Sequence, residues 1–180
     1  DAPGYALYGA DGEYRWRGLR VGGEVAQSSD DITGDGGAYK INAAVTHGAS
    51  KLDVYLREVD GDFSNPSFRG ADSELASVKA GFNGRLAFSR SLALNADGYT
   101  HELQRTEETR ATTRATVDYR KRLLEMSAGL RVARHDQPAS DAQGTLAIAG
   151  FTLGNRGTAG ISTTWEQNLG DETVDDYPNR

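Results

Sequence analysis

Apolar and polar residues alternate with a period of two along almost the whole chain, and this constrains the fold more than any other feature. From Ala6 the even positions read Ala6, Tyr8, Ala10, Gly12, Tyr14 and Trp16, while the odd positions from Asp11 are Asp11, Glu13, Arg15 and Arg17. Successive side chains of an extended strand point to opposite faces, so this stretch predicts a strand with one greasy and one charged face. After Arg17-Gly18 the parity switches: Leu19, Val21, Gly23 and Val25 share one side, and Arg20, Gly22 and Glu24 the other. A strand, a tight turn and a second strand of matched pattern make a β-hairpin.

The unit recurs at a spacing of roughly thirty residues, as consecutive hairpins of about ten-residue strands require. Tyr39, Ile41, Ala43 and Val45 alternate with Lys40, Asn42 and Thr46, and beyond His47-Gly48-Ala49-Ser50 the residues Leu52, Val54 and Leu56 alternate with Lys51, Asp53, Tyr55 and Arg57. A third unit sets Ala76, Val78, Ala80, Phe82, Leu86 and Phe88 against Ser77, Lys79, Asn83 and Arg85, then Leu92, Leu94 and Ala96 against Asn95, Asp97, Tyr99 and His101. In the fourth, Ala111, Thr113, Ala115, Val117 and Tyr119 alternate with Arg114, Thr116, Asp118 and Arg120, and Leu124, Met126, Ala128, Leu130 and Val132 with Glu125, Ser127 and Arg131. A fifth opens on Thr145 to Leu153, apolar on both faces, and closes with Ala159, Ile161, Thr163 and Trp165 against Ser162, Thr164 and Glu166. The pattern predicts about ten strands.

Two further patterns point to a membrane. Short turns are expected near Arg17-Gly18, Gly48-Ser50, Ser89-Ser91, Arg120-Arg122 and Gly154-Gly157, and longer polar loops over Ser28 to Gly37, Gly61 to Ser73, Leu103 to Thr109 and Arg134 to Gly144. Transmembrane barrels sort their connections in this way. On the apolar face Trp16, Phe88 and Tyr119 lie beside short turns, and Tyr8, Tyr39 and Trp165 toward the other ends. Aromatic residues collect at the two membrane interfaces, where a ring with a polar edge is best solvated.

With these hairpins, Gly12-Glu13-Tyr14-Arg15-Trp16-Arg17-Gly18-Leu19-Arg20-Val21-Gly22-Gly23-Glu24 among them, the chain resembles bacterial outer-membrane β-barrels, porin-like or the barrel segment of a large surface protein. The resemblance covers nearly the whole chain and is architectural, carrying no catalytic motif. It implies a location in the bacterial outer membrane, with the bilayer and lipopolysaccharide as surroundings. Such barrels usually close on a strand with a terminal aromatic residue and start and finish on the periplasmic side. Here Gly170 to Arg180 is polar and the first connection is short. The chain is therefore expected to be a segment of a larger barrel, or to have its barrel completed by further strands from other chains or set in an unusual orientation.

Composition removes other classes. Net charge is -6 with both signs dispersed, which offers no footprint for nucleic acid. There is no cysteine, hence no disulfide framework or thiolate metal site. A mean hydropathy of -0.59 excludes a transmembrane helix but not strands that are apolar on one face only. No enzyme activity and no cofactor are expected. The carboxylate pairs Asp11 with Glu13 and Asp60 with Asp62 have the spacing of any polar strand or acidic loop. His47, His101 and His135 lack ligand spacing. The stretch Asp30-Asp31-Ile32-Thr33-Gly34-Asp35-Gly36-Gly37 is rich in oxygen ligands but reads as a solvated turn. Asn65-Pro66-Ser67 is no glycan acceptor, because of its proline.

The expectation is an all-β, antiparallel up-and-down transmembrane barrel of about ten strands, or a segment of a larger one, over residues 1–169, with a polar tail or loop over 170–180. Its polar face would line a passive pore for small hydrophilic solutes and ions with Arg15, Arg20, Glu24, Lys40, Asp53, Arg57, Lys79, Arg85, Asp97, Arg114, Asp118, Glu125 and Arg131. In a narrow barrel these groups would instead pair into a plug, leaving a membrane anchor. The rival is a soluble β-barrel or sandwich that turns the apolar face inward around a hydrophobic ligand.

Overall fold

The computed structural model describes residues 4–31, 34–64, 76–155 and 159–170. The alternating stretches form ten strands: β1 (Tyr5–Trp16), β2 (Leu19–Asp30), β3 (Gly34–His47), β4 (Ser50–Val59), β5 (Ser77–Ala87), β6 (Leu92–Leu103), β7 (Glu108–Lys121), β8 (Leu124–Gln137), β9 (Ser140–Asn155) and β10 (Ala159–Asn168). They pair antiparallel in chain order, β1 to β10, as one up-and-down sheet. No helix occurs among the described residues. No pairing between β1 and β10 occurs among them either, so the described ladder ends on these two strands.

The turns explain the registers. Arg17, Gly48 and Arg122 adopt φ of 48°, 58° and 52° at the first position of two-residue turns, a conformation that matches the right-handed twist of the strands it joins. Each hairpin thereby sets its pairs, Trp16 opposite Leu19, His47 opposite Ser50 and Lys121 opposite Leu124. The switch of parity across the turn keeps both apolar sets on one side.

Adjacent hairpins slide past one another by a steady amount. A row perpendicular to the strands runs Arg15, Arg20, Ala44, Asp53, Asn83, Asp97, Arg114, Arg131, Leu146, Asn168. The turn-closing residues Trp16, His47, Ala87, Lys121 and Asn155 lie one, three, four, seven and nine positions beyond that row. An advance of about eight residues at ~3.3 Å each, over eight strand gaps of ~4.8 Å, is a tilt of roughly 35°. That is the tilt a closed barrel wall requires.

The expected loops differ from the structure at one end of the sheet. β2 runs to Asp30 and β3 starts at Gly34, β6 and β7 are joined through residues 104–107, and β8 and β9 through Pro138 and Ala139. Pairs such as Ser28 with Gly36 and His135 with Ala142 extend the hairpins through segments expected to be loops. Only the connection from β4 to β5 is long. The reason is physical: where both faces of a strand are polar, the two-residue alternation disappears although the backbone ladder continues. The proline at 66 and residues 171–180 lie outside the described residues.

Close backbone approach fixes glycine at position 129, where a Cβ would strike the carbonyl oxygen of Ala115 and come within 2.7 Å of the Thr116 Cα. At Gly12 a Cβ meets nothing within 4 Å. Gly129→Val is therefore expected to cost roughly 1–3 kcal/mol of folding stability by forcing β7 and β8 apart, and Gly12→Ala less than about 0.5 kcal/mol. Urea unfolding of the two variants checks the contrast.

Candidate functional site

The registers place all thirteen predicted charges on one face. Arg15, Arg20, Asp53, Asp97, Arg114 and Arg131 share the perpendicular row described above, and Glu24, Lys40, Arg57 and Lys79 share a second. Arg85, Asp118 and Glu125 have the same parity nearer the short turns. This polar face is the shielded one: Ser28, Ala44, Val59, Ser77, Ala93, Glu108, Ala133 and Thr152 are buried on it. A single sheet has no second layer, and its polar face is the less exposed of its two faces. The strands at the two ends of the ladder, β1 and β10, are exposed along nearly their whole length.

Most charges of this face are paired along the wall. Arg114 reaches Asp97 at 2.7 Å, Lys51 reaches Asp53 at 2.7 Å, and Arg131 reaches Glu166 at 3.4 Å across the small and aliphatic residues of β9. Arg85 lies 3.0 Å from Asn95, which donates to Asp118 at 2.6 Å. Arg120 pairs with Glu125, and Glu13 takes both Arg15 and Arg20. Lys51, Arg120, Glu13 and Glu166 were not among the expected wall charges, although their parity identifies them.

Near the far ends of β7 and β8, Glu108 accepts from His135 at 2.5 Å and from Arg110. Burial alone would push the Glu108 carboxyl up, but hydrogen bonds and charge from Arg110 and His135 bring it below its ordinary value. His101 and His135 do share this face, yet Arg110 stands between them in the row, and a cation there opposes a metal ion. No group of three potential metal ligands occurs among the described residues. The Asp30–Gly37 stretch is a hairpin end, with Asp31 accepting from the Gly4 amide at 2.7 Å. Asp60 likewise accepts from the Gly37 amide at 2.9 Å.

The first residues after β4 add a feature that alternation could not reveal. Residues 60–64 fold against the polar face: the Ser64 amide donates to the buried Ser28 Oγ at 2.8 Å, and Tyr5 donates to the Ser64 carbonyl at 2.8 Å. Gly36 is tight against the Phe63 backbone, and Arg105 holds the Gly61 carbonyl at 2.8 Å from the β6–β7 connection. The segment thus lies over one end of the polar face.

The opposite face is an apolar band. On β8 it runs Leu124, Met126, Ala128, Leu130, Val132 and then turns polar at Arg134 and Asp136; on β4 Leu52, Val54 and Leu56 give way to Glu58; on β6 the change comes at Glu102. Eight residue steps on β8 at ~3.3 Å, tilted by roughly 35°, give a height of about 22 Å, and the four steps on β4 about 11 Å. The expected aromatics lie on this face: Trp16, Phe88 and Tyr119 at or near the short turns, Tyr8, Tyr39 and Trp165 farther along. Tyr14, Trp16 and Val25 are 62%, 55% and 58% exposed, so the greasy side faces out. A notch of about 310 Å³ over Gly84 and Ala96, walled by Val45, Leu52, Phe82 and Leu86, belongs to this face and carries no convergent catalytic groups.

No family model, no curated protein and no solved structure matches the chain.

Because the Glu108 carboxyl sits below its ordinary value, its stabilisation is present above the ordinary carboxylate range and is lost as pH falls through the lowered value. Glu108→Gln is expected to flatten that acid limb. Denaturation midpoints across pH 3 to 7 test it.

Proposed function

We propose that the chain forms the wall of a bacterial outer-membrane β-barrel that passes small hydrophilic solutes, without covalent chemistry or a cofactor. The observation that carries this reading is the inversion of the sheet: charges on the shielded face, and an exposed apolar band that on β8 is about 22 Å tall, close to the ~25 Å of transmembrane barrels. A soluble barrel holding a hydrophobic ligand needs the reverse arrangement. All ten strands reach the roughly 9–11 residues that a bilayer demands, and all but β4, β5 and β10 exceed it, by running on where both faces are polar. Lipid leaves no solvent for open backbone edges, so β1 and β10 pair in the membrane with each other or with further strands of the same or other chains.

The ion pairs favour a pore over a plugged anchor, because they run within one strand or between adjacent or next-adjacent strands along the wall. The alternative, anchoring of a larger surface protein, uses the same barrel with its end closed by residues 60–64. Purification and planar-bilayer recording separate the readings. A protein that stays monodisperse without detergent contradicts the membrane reading; one that needs detergent and gives no conductance is an anchor.

Adjacent positions on β7 give a sharper test. Val117 faces out in the apolar band and Thr116 lies on the charged face. Val117→Arg is expected to lower folding stability in bilayers by roughly 2–4 kcal/mol, with Thr116→Arg costing far less. Equal losses at the two positions would contradict the assigned faces.

A further inference from the structure

The two strands at the ends of the ladder fit each other. From β1 to β9 the turn-closing residues advance by about one position per strand, Trp16 lying one position beyond the row through Arg15 and Asn155 nine. The row finishes on Asn168, the last residue of β10. Two strands past β9 a closed ladder meets β1 again. Nine positions plus about two more then put Trp16 about eleven beyond the row, and Tyr5 on it. Asn168 thereby falls opposite Tyr5. The total shear is about ten residues of ~3.3 Å over ten gaps of ~4.8 Å, which repeats the tilt of roughly 35°.

We propose that β10 pairs antiparallel with β1 of the same chain, from Asn168 opposite Tyr5 to Ala159 opposite Tyr14, so that these ten strands close a barrel by themselves. Every residue of β10 finds a partner on β1. Parity agrees: Glu166, Thr164 and Ser162 join Leu7, Gly9 and Asp11 on the polar face, while Thr163 and Ile161 join Ala10 and Gly12 on the apolar one. Trp165 meets Tyr8, an aromatic cross-strand pair on the outer face. Ile161 comes to lie over Gly12, where a Cβ would meet nothing within 4 Å. Like charges directly opposite destabilise a sheet, and this register sets none: Glu166 faces Leu7, Glu13 faces Gly160, and Asp11 faces the Ser162 hydroxyl, a potential donor. Sliding β10 by two residues toward Trp16 sets Trp165 against Ala10, and sliding it the other way leaves Asn168 beyond β1. A second copy would offer the same edges, but an edge on the same chain meets its partner at a far higher effective concentration. Closure rests on the barrel reading and not on the passage of solute.

The chain has no cysteine, so engineered pairs report this junction alone. The test is oxidation of A10C/T163C and G9C/T164C, folded in detergent micelles, with gel migration separating monomers from dimers and peptide mass spectrometry reading the linkage. Directly opposite Cα atoms lie about 4.5–5.5 Å apart, within reach of a disulfide, so both pairs are expected to cross-link within one molecule. The two pairs lie on opposite faces, and either one suffices if the other impairs folding. A10C/I161C is offset by two residues, which sets its Cα atoms about 8 Å apart, and its yield should be roughly tenfold lower. Disulfide-linked dimers in place of cross-linked monomers would overturn the proposal in favour of a second copy. Absence of any disulfide from both opposite pairs, in protein that keeps its β-structure by circular dichroism, would overturn it in favour of further strands. A higher yield from A10C/I161C than from A10C/T163C would overturn the register. A protein that needs detergent and conducts without cross-linking overturns self-closure and leaves the membrane barrel standing. Cross-linking in register by a protein that stays monodisperse without detergent overturns the membrane reading and leaves closure standing.

Discussion

Everything in this structure depends on the backbone ladder between consecutive antiparallel strands. Each strand satisfies its amides and carbonyls only through its two neighbours in the chain, and the ladder leaves successive side chains no choice but opposite faces. Because the turns switch parity, each hairpin adds its charged residues to one side and its apolar residues to the other. Ten strands joined in this way yield a single layer with two chemically opposed surfaces. A layer of that kind has no core of its own. No described residue covers the apolar band, and we propose that a bilayer does.

The steady stagger converts this ladder into a wall. Each hairpin advances along its neighbour, so the strands tilt by the angle that a barrel wall requires. On the polar face, side chains such as Ala44, Ala93 and Ala133 are shielded by the long charged chains around them. Pairs such as Asp97 with Arg114 and Glu166 with Arg131 then neutralise charge along the wall, at little net energy because the pairs remain partly wet.

Much of this was legible in the residues. Tyr14, Trp16, Val21 and Val25 announced their face by parity, Arg17-Gly18 announced its turn, and the ten strands followed from the same two-residue count. The extensions beyond the apolar band were not legible, since from Ser28 to Gly37 and from Arg134 to Gly144 polar residues occupy both faces and erase the alternation. The stagger was hidden as well, because register between hairpins is a property of pairs distant in sequence. The same non-local pairing brings Lys40, Arg57 and Lys79 together, and residues 60–64 reach the polar face through backbone contacts to Ser28 and Tyr5 that no local pattern encodes.

The outward orientation of the apolar band in lipid is the central claim, and the protein carries its own probes for it. Both tryptophans, Trp16 and Trp165, lie on that face and are 55% and 51% exposed. The decisive measurement is tryptophan fluorescence of the protein folded into phosphatidylcholine vesicles whose acyl chains are brominated at defined depths. The account predicts blue-shifted emission from both residues and strong quenching by the brominated chains, Trp16 responding most to bromines near one surface. Emission unchanged by brominated lipid, from a protein that retains its β-structure in water, would contradict it.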